Sequence, residues 1–270
     1  MDRLEVRLQA RELVGQAVDV LAARGVALPD ALKRRDPREP RRREKEAAED
    51  RLTRWVLRHW SRQRRHVREV LETQAMKQAT LSDPLGDVDE DDLVSLQMIL
   101  RDGAAGGVEL FAAATNLGFE FTSSKTRAYD WALDHSSRFL QTLDATSQRA
   151  VRKLVSQFIA TPGMTIADVM ELLPFNEERA LRVAVTEITG AYAQGQILAG
   201  QDLRTEFPGV KVVVYWFTNN DERVCEICSE LDGERVELGN LFPSSIIGGV
   251  EKPPAHVNCR CWCDTTTEIA

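Results

Sequence analysis

"VCEIC" at 224–228 and "HVNCRCWC" at 256–263 together hold every cysteine of this 270-residue chain: Cys225, Cys228, Cys259, Cys261 and Cys263. The chain has no apolar run long enough to cross a bilayer, and its start, "MDRLEVRLQARELVGQ", mixes charges with apolar residues instead of building a signal-peptide core. A protein made in a reducing cytosol gains little from disulfides, and five is an odd number, so metal-bound thiolates explain the cluster better than a disulfide framework does. Cys225-x-x-Cys228 lets two sulfurs reach one ion from a tight turn, and His256-x-x-Cys259 supplies a nitrogen and a third sulfur. This is the donor set that tetrahedral Zn2+ prefers. Residues 229–255 between the pairs are enough for a hairpin and a returning loop. Cys261 is an alternative ligand, which would leave His256 outside the coordination shell, and Cys263 is the most dispensable of the five.

Two other readings of the thiols stand beside the metal. Free cysteines often pack as small hydrophobes. Alternatively Cys225 is a nucleophile with His256 as its base, although the sequence offers no third group to orient that base. Four protein ligands leave no open position for water, so the expected role of zinc is structural and no enzyme is expected.

Upstream of the cysteines the pattern is helical. Residues 2–24 carry an apolar stripe at three- and four-residue steps, and 29–43, with three prolines and a charge run, read as a linker or a helix boundary. From Glu44 to about Ala79 there is no Gly or Pro, and Leu52, Trp55, Val56, His59, Trp60, Val67, Val70 and Leu71 share a broad face, which predicts one long amphipathic helix. The acids Asp87 to Asp92 fit the positive end of a following helix better than a calcium loop. The glycine-rich stretch 102–107 predicts a turn before a helix of small residues. Helices are then expected at 124–140, 147–159, 165–172 and 177–198. After Pro208 the period changes: "VKVVVYWFT" at 210–218 reads as a strand, "ERVEL" at 234–238 as a second, with Asp232-Gly233 as a turn pair. Trp216 and Trp262 are expected in the core.

The fold class is therefore α+β, a mainly helical N-terminal body with a small β-rich, zinc-stapled C-terminal module. The expected domains are a helical arm at 1–123, a helical part at 124–208 and a Cys/His module at 209–270. Hydrophobic residues, 43% of the chain, are enough to build a core without staples.

Charge is unevenly spread. Lys33 to Arg68 holds fifteen Lys or Arg against six acids, a balance of +9 in a chain of net charge −7. Arg51, Arg54, Arg58, Arg62, Arg65 and Arg68 recur at helical spacing and are the candidate contacts to DNA or to an acidic protein surface, between which charge alone does not choose.

The C-terminal residues also carry a family resemblance. "TNNDERVCEICSELDGERV" (218–236) followed by "PPAHVNCRCWC" (253–263) resembles the signature of the phage Mu F-like head morphogenesis proteins, minor capsid proteins of tailed phages and prophages. "RALRVAVTEITGAYAQGQ" (179–196) is similar to the family's preceding helix, except that Val185 stands where the family has arginine, so any ion pair from that arginine to the β end is in question. The resemblance covers about 124–264. It implies a few-copy component of head assembly in the host cytoplasm and then of the virion, at the capsid interior or portal vertex. The implied partners are the portal or major capsid protein and packaged phage DNA, with no membrane. A zinc-containing DNA-binding module unrelated to capsids, or a metal- or thiol-dependent enzyme, are the alternatives.

Overall fold

The computed structural model describes residues 39–73, 85, 90–115, 119–219 and 221–269. The expected helix at 2–24 and most of the linker at 29–43 lie outside them. The described chain is α+β as expected, with four long helices, two short ones and a three-stranded antiparallel sheet near the C-terminus.

Helix α1 (Arg42–Thr73) is the expected long amphipathic helix. Leu52, Trp55, Val56, Trp60, Val67 and Leu71 are buried along one face. Helix α2 (Glu90–Thr115) begins with Glu90, Asp91 and Asp92, so acids do sit at its positive end. It then runs straight through Gly103, Gly106 and Gly107, where a turn was expected. Packing explains the difference. Helix α5 (Glu177–Glu206) crosses α2 here, and the two pack along one another more extensively than any other pair of elements. A Cβ on Gly107 would overlap the Tyr192 carbonyl, and one on Gly195 would overlap the Ala104 carbonyl. The glycines are therefore contact surface for backbone-to-backbone packing. Each loses up to about 1 kcal/mol of helix propensity, which the closer packing offsets. Both α1 and α2 pack on α5.

Helix α3 (Thr122–Ala160) replaces the two helices expected at 124–140 and 147–159. No Gly or Pro interrupts "QTLDAT" (141–146), and buried Leu143 and Ser147 continue the stripe of Ala132, Ser136 and Phe139. Asp144, in the middle of the supposed break, accepts from His59 (2.9 Å) and Gln63 (2.7 Å) of α1. Helix α4 (Ile166–Leu172) opens with a capping box. Asp168 N donates to Thr165 Oγ1, and Thr165 N donates to Asp168 Oδ2 at 2.7 Å. Helix α5, capped by Asn176 at Arg179 N (2.9 Å), extends eight residues past the expected end at 198.

Strand β1 (Val210–Phe217) is central in the order β2-β1-β3. It pairs with β2 (Arg235–Glu237), with Val214 opposite Val236, and with β3 (Trp262–Ile269) from Val210↔Ile269 to Phe217↔Trp262. Val212, Val214 and Trp216 of β1 share a core with Val108 and Phe111 of α2, Ile197 and Leu203 of α5, and Cys228, Cys259, Cys261 and Cys263. Trp216 and Trp262 are both buried, as expected.

The glycine contact makes a direct prediction. Gly107→Ala should destabilise the fold by about 2–3 kcal/mol in urea titrations, through overpacking against a backbone that has nowhere to move. Gly209→Ala, whose Cβ would meet nothing within 4 Å, should stay within about 0.5 kcal/mol.

Candidate metal centre and basic face

After β1 the chain turns through Thr218, Asn219 and Asp221 into the short helix α6 (Glu226–Leu231), whose N-cap is Cys225. The turn is fixed by Asp221, which accepts from Arg223 N at 3.1 Å and from Asn219 Nδ2 at 2.8 Å. One helical turn separates Cys225 from Cys228, so both sulfurs face the same side. Asp232 ends α6 and accepts from Thr218 N at 2.7 Å; Gly233 follows at φ 79°. The expected Asp-Gly turn is present, joining helix to strand.

The second arm returns on top of α5. Asn258, at φ 65°, donates its N–H to Thr186 Oγ1 at 2.7 Å, and Thr189 Oγ1 donates to the Cys259 carbonyl at 3.3 Å. Gln196 holds the Cys263 carbonyl at 3.2 Å. With Val185 in place of an arginine, hydroxyls and an amide of α5 make these contacts. Glu187 pairs with His135 at 2.7 Å.

The two arms bring three of the four predicted ligands, Cys225, Cys228 and His256, within 4.8 Å of one another, while Cys259 joins Cys228 and Cys261 in a second such group. His256 Nε2 lies 3.1 Å from Cys225 Sγ and 3.1 Å from Cys228 Sγ, and Cys228 Sγ lies 3.7 Å from Cys259 Sγ. Two sulfurs each bound to zinc at ~2.3 Å stand about 3.8 Å apart across a tetrahedral edge, so the sulfur pair fits one ion. The nitrogen is slightly inside the corresponding edge of about 3.5 Å. His256 Nδ1 is 2.8 Å from the Val257 carbonyl, which can only accept. The ring proton therefore belongs on Nδ1, and the Nε2 lone pair points between two sulfurs, the orientation of a metal-ligating imidazole. A cavity of about 20 Å3 lies among Cys225, Cys228, His256, Cys259 and Cys261, room for one small ion.

Cys261 forms a second close group with Cys228 and Cys259, so the alternative ligand is also within reach. Cys263 belongs to neither group; it lies in the core, where burial pushes its thiol up to about 12. Hydrogen bonds from Cys228 and Cys261 hold the Cys259 thiol well below the ordinary range, against its burial. The same shared bonds push Cys228 and Cys261 up. A cation bound by these sulfurs would displace their protons.

Beside the cluster, Arg260 makes a bidentate pair with Asp221, Nη1–Oδ2 and Nη2–Oδ1 both 2.8 Å. Burial opposes ionisation of Asp221, and the Arg260 guanidinium outweighs it, holding the carboxyl below its usual range. Arg260 is itself buried, so the pair ties the two cysteine-bearing arms together across 39 residues of sequence, which is more than a local turn contact. Neither this pair nor the α5 contacts through Thr186, Thr189 and Gln196 were expected. The polar residues were visible in the sequence, but nothing in their spacing said which would meet.

On α1, Arg51, Arg54, Arg58, Arg65 and Arg68 form one solvent-facing stripe. From Arg54 to Arg68 the stripe is about 21 Å long at 1.5 Å per residue. Arg62 turns aside and pairs with Asp92 at the start of α2, while Arg51 reaches Asp102 at 3.8 Å. Arg54, Arg58, Arg65 and Arg68 make no ion pair among the described residues. Lys33, Arg34, Arg35 and Arg38 lie outside them.

Residues 146–263 match the family described as phage Mu protein F like protein. That segment is similar to the phage Mu F-like proteins, in line with the resemblance of its motif residues, and the match ends at Cys263, the last residue of the cysteine cluster. No curated protein and no solved structure matches the chain.

A double-mutant cycle of Arg260→Ala and Asp221→Asn, followed by thermal or urea unfolding, should give a coupling of about 1–3 kcal/mol. Additive effects of the two changes would mean that the pair does not join the arms.

Proposed function

We propose that the protein is a structural component of a tailed-phage or prophage head, a minor capsid protein that acts in head assembly at the portal or capsid interior. The observation that carries this reading is the phage Mu F-like match over 146–263, which takes in helix α5 and the whole Cys/His cluster. In this reading Zn2+ is bound by Cys225, Cys228, His256 and Cys259, with Cys261 behind them. Zinc would supply a fixed cross-link between the α6 arm and the 256–259 arm, and no reaction chemistry. A shell of four protein donors favours a structural site over a catalytic one.

The arginine stripe of α1 gives the protein an anionic partner. An acidic surface of the portal or major capsid protein suits it better than packaged DNA, because the chain outside the Lys33–Arg68 segment is acidic and repels phosphate. Assembly would take place in the host cytoplasm and leave the protein in the virion. Among the described residues no helix is long and apolar enough to cross a membrane.

Elemental analysis of protein purified without added metal should find one zinc per chain. Cys225→Ser should lose it and make the region after Pro208 sensitive to protease, whereas Cys263→Ser should retain it. Affinity should fall as pH falls, because each ligand thiol must give up its proton. Replacing Arg54, Arg58, Arg65 and Arg68 together with Gln should abolish incorporation into heads with the fold intact. If the stripe instead meets DNA, the wild type will bind duplexes of any sequence, and log affinity will fall by about 0.9 per neutralised phosphate against log salt. The quadruple change will then flatten that slope.

A further inference from the structure

Between α3 and α5 there is an open groove of about 410 Å3, within the size range of ligand sites. Its apolar walls are Phe139, Leu143 and Val183, and its rim is Val257, which is 69% exposed. Two arginines, Arg179 and Arg182, line it. Arg179 is held rigidly. Its plane lies 4.6 Å from the Trp60 ring, and its edges donate to the Pro174 carbonyl at 2.9 Å and to the Thr146 and Ser147 hydroxyls at 3.2 and 3.3 Å. These acceptors take at most three of its five N–H groups, and all are neutral. Arg179 has no carboxylate partner among the described residues. Burial lowers its pKa, as does the neighbouring charge of Arg182. Arg182 is half-exposed, with Glu178 at 4.0 Å as its ion-pair contact, and Glu178 is itself 82% exposed. The one acid lining the groove, Glu187, is already taken by His135. The groove is thus apolar and cationic at one end, where the only ion-pair contact among the described residues is the long, exposed one between Arg182 and Glu178.

We propose that this groove docks a segment of a partner protein that presents an apolar side chain flanked by an aspartate or glutamate. The apolar side chain would fill the space between Phe139, Leu143 and Val183. The carboxylate would pair with the remaining N–H groups of Arg179 and with Arg182. Because Arg179 is fixed by Trp60 and its three acceptors before anything binds, little side-chain freedom is lost on docking. An exposed apolar rim at Val257 suits a polypeptide that continues beyond the groove better than a small anion that ends inside it. Nucleic acid would find two cations here and a longer row of them on α1. The proposal rests on the groove alone and is independent of the head-assembly reading.

The test uses the full chain against a ribosome-displayed library of random dodecapeptides, with the affinity of enriched peptides then measured by fluorescence anisotropy. Enriched peptides should carry Asp or Glu next to Leu, Ile, Met or Phe. Arg182→Glu and Arg179→Lys should each weaken binding at least about tenfold. The Arg54, Arg58, Arg65 and Arg68 replacement should leave it unchanged. In the unaltered protein, added peptide should shift the methyl resonances of Leu143, Val183 and Val257, which locates the site even if Arg179→Lys fails to fold. The proposal is overturned if nothing is enriched, if enriched peptides lack acids, or if the methyl shifts fall elsewhere. It is equally overturned if binding survives Arg182→Glu or is lost with the α1 arginines.

Discussion

The close crossing of α2 and α5 is the constraint from which the rest of the molecule follows. Gly106, Gly107 and Gly195 let the two backbones meet around Tyr192, and α5 becomes a buried spine with Ala191, Ala193, Ile197, Ala199 and Leu203 inside. Other faces of the same helix then receive the β module. Thr186 and Thr189 hold the 256–259 arm, Gln196 holds the start of β3, and Arg204 donates to the Leu238 carbonyl beyond β2 at 2.5 Å. The Cys/His cluster is therefore assembled against a rigid support, and its second arm is pinned to α5 at Asn258, Cys259 and Cys263.

The cluster and the helical body share one hydrophobic core, since Cys228, Cys259, Cys261 and Cys263 pack with Val212, Val214, Trp216 and Leu231. Burial makes ionised thiolates costly unless a cation or hydrogen bonds compensate them. The hydrogen bonds among Cys228, Cys259 and Cys261 offer partial compensation, and a bound divalent cation offers more. The metal would thus be a structural element of this core, with Asp221–Arg260 as a second clamp across the same two arms. Polar contacts elsewhere in the body are equally specific. His59 stacks on Trp55 and joins Gln63 and Asp144, so a buried imidazole links α1 to α3.

Much of this was legible in the sequence because it rests on local pattern. The stripe of Leu52, Trp55, Val56 and Trp60 fixed α1; β-branched residues and flanking turns fixed β1; the paired Cys-x-x-Cys and His-x-x-Cys spacings picked out residues that the fold gathers into two groups sharing Cys228, one with Cys225 and His256 and one with Cys259 and Cys261. What escaped depends on tertiary contact. Glycines at 103–107 look like a turn until Tyr192 is seen against them. The single helix α3 is continuous where "QTLDAT" suggested a gap, because Asp144 is needed by α1. Strand β3 was hidden because "WCDTTTEI" lies inside a motif read for its cysteines, although Thr265, Thr266, Thr267 and Ile269 are strand-forming residues. The arginines of α1 divided in the same way. Periodicity grouped Arg62 with the others, and only the position of Asp92 shows that it belongs to the α1–α2 contact.

The central claim is that one zinc ion joins the α6 arm to the 256–259 arm through three sulfurs and one imidazole. X-ray absorption at the zinc K-edge of the purified full chain tests it most directly. The account predicts a first shell of three sulfurs near 2.3 Å and one nitrogen near 2.0 Å, with the outer-shell scattering of an imidazole ring. A shell of four sulfurs would mean that Cys261 replaces His256, and a shell containing water oxygen would contradict a closed structural site.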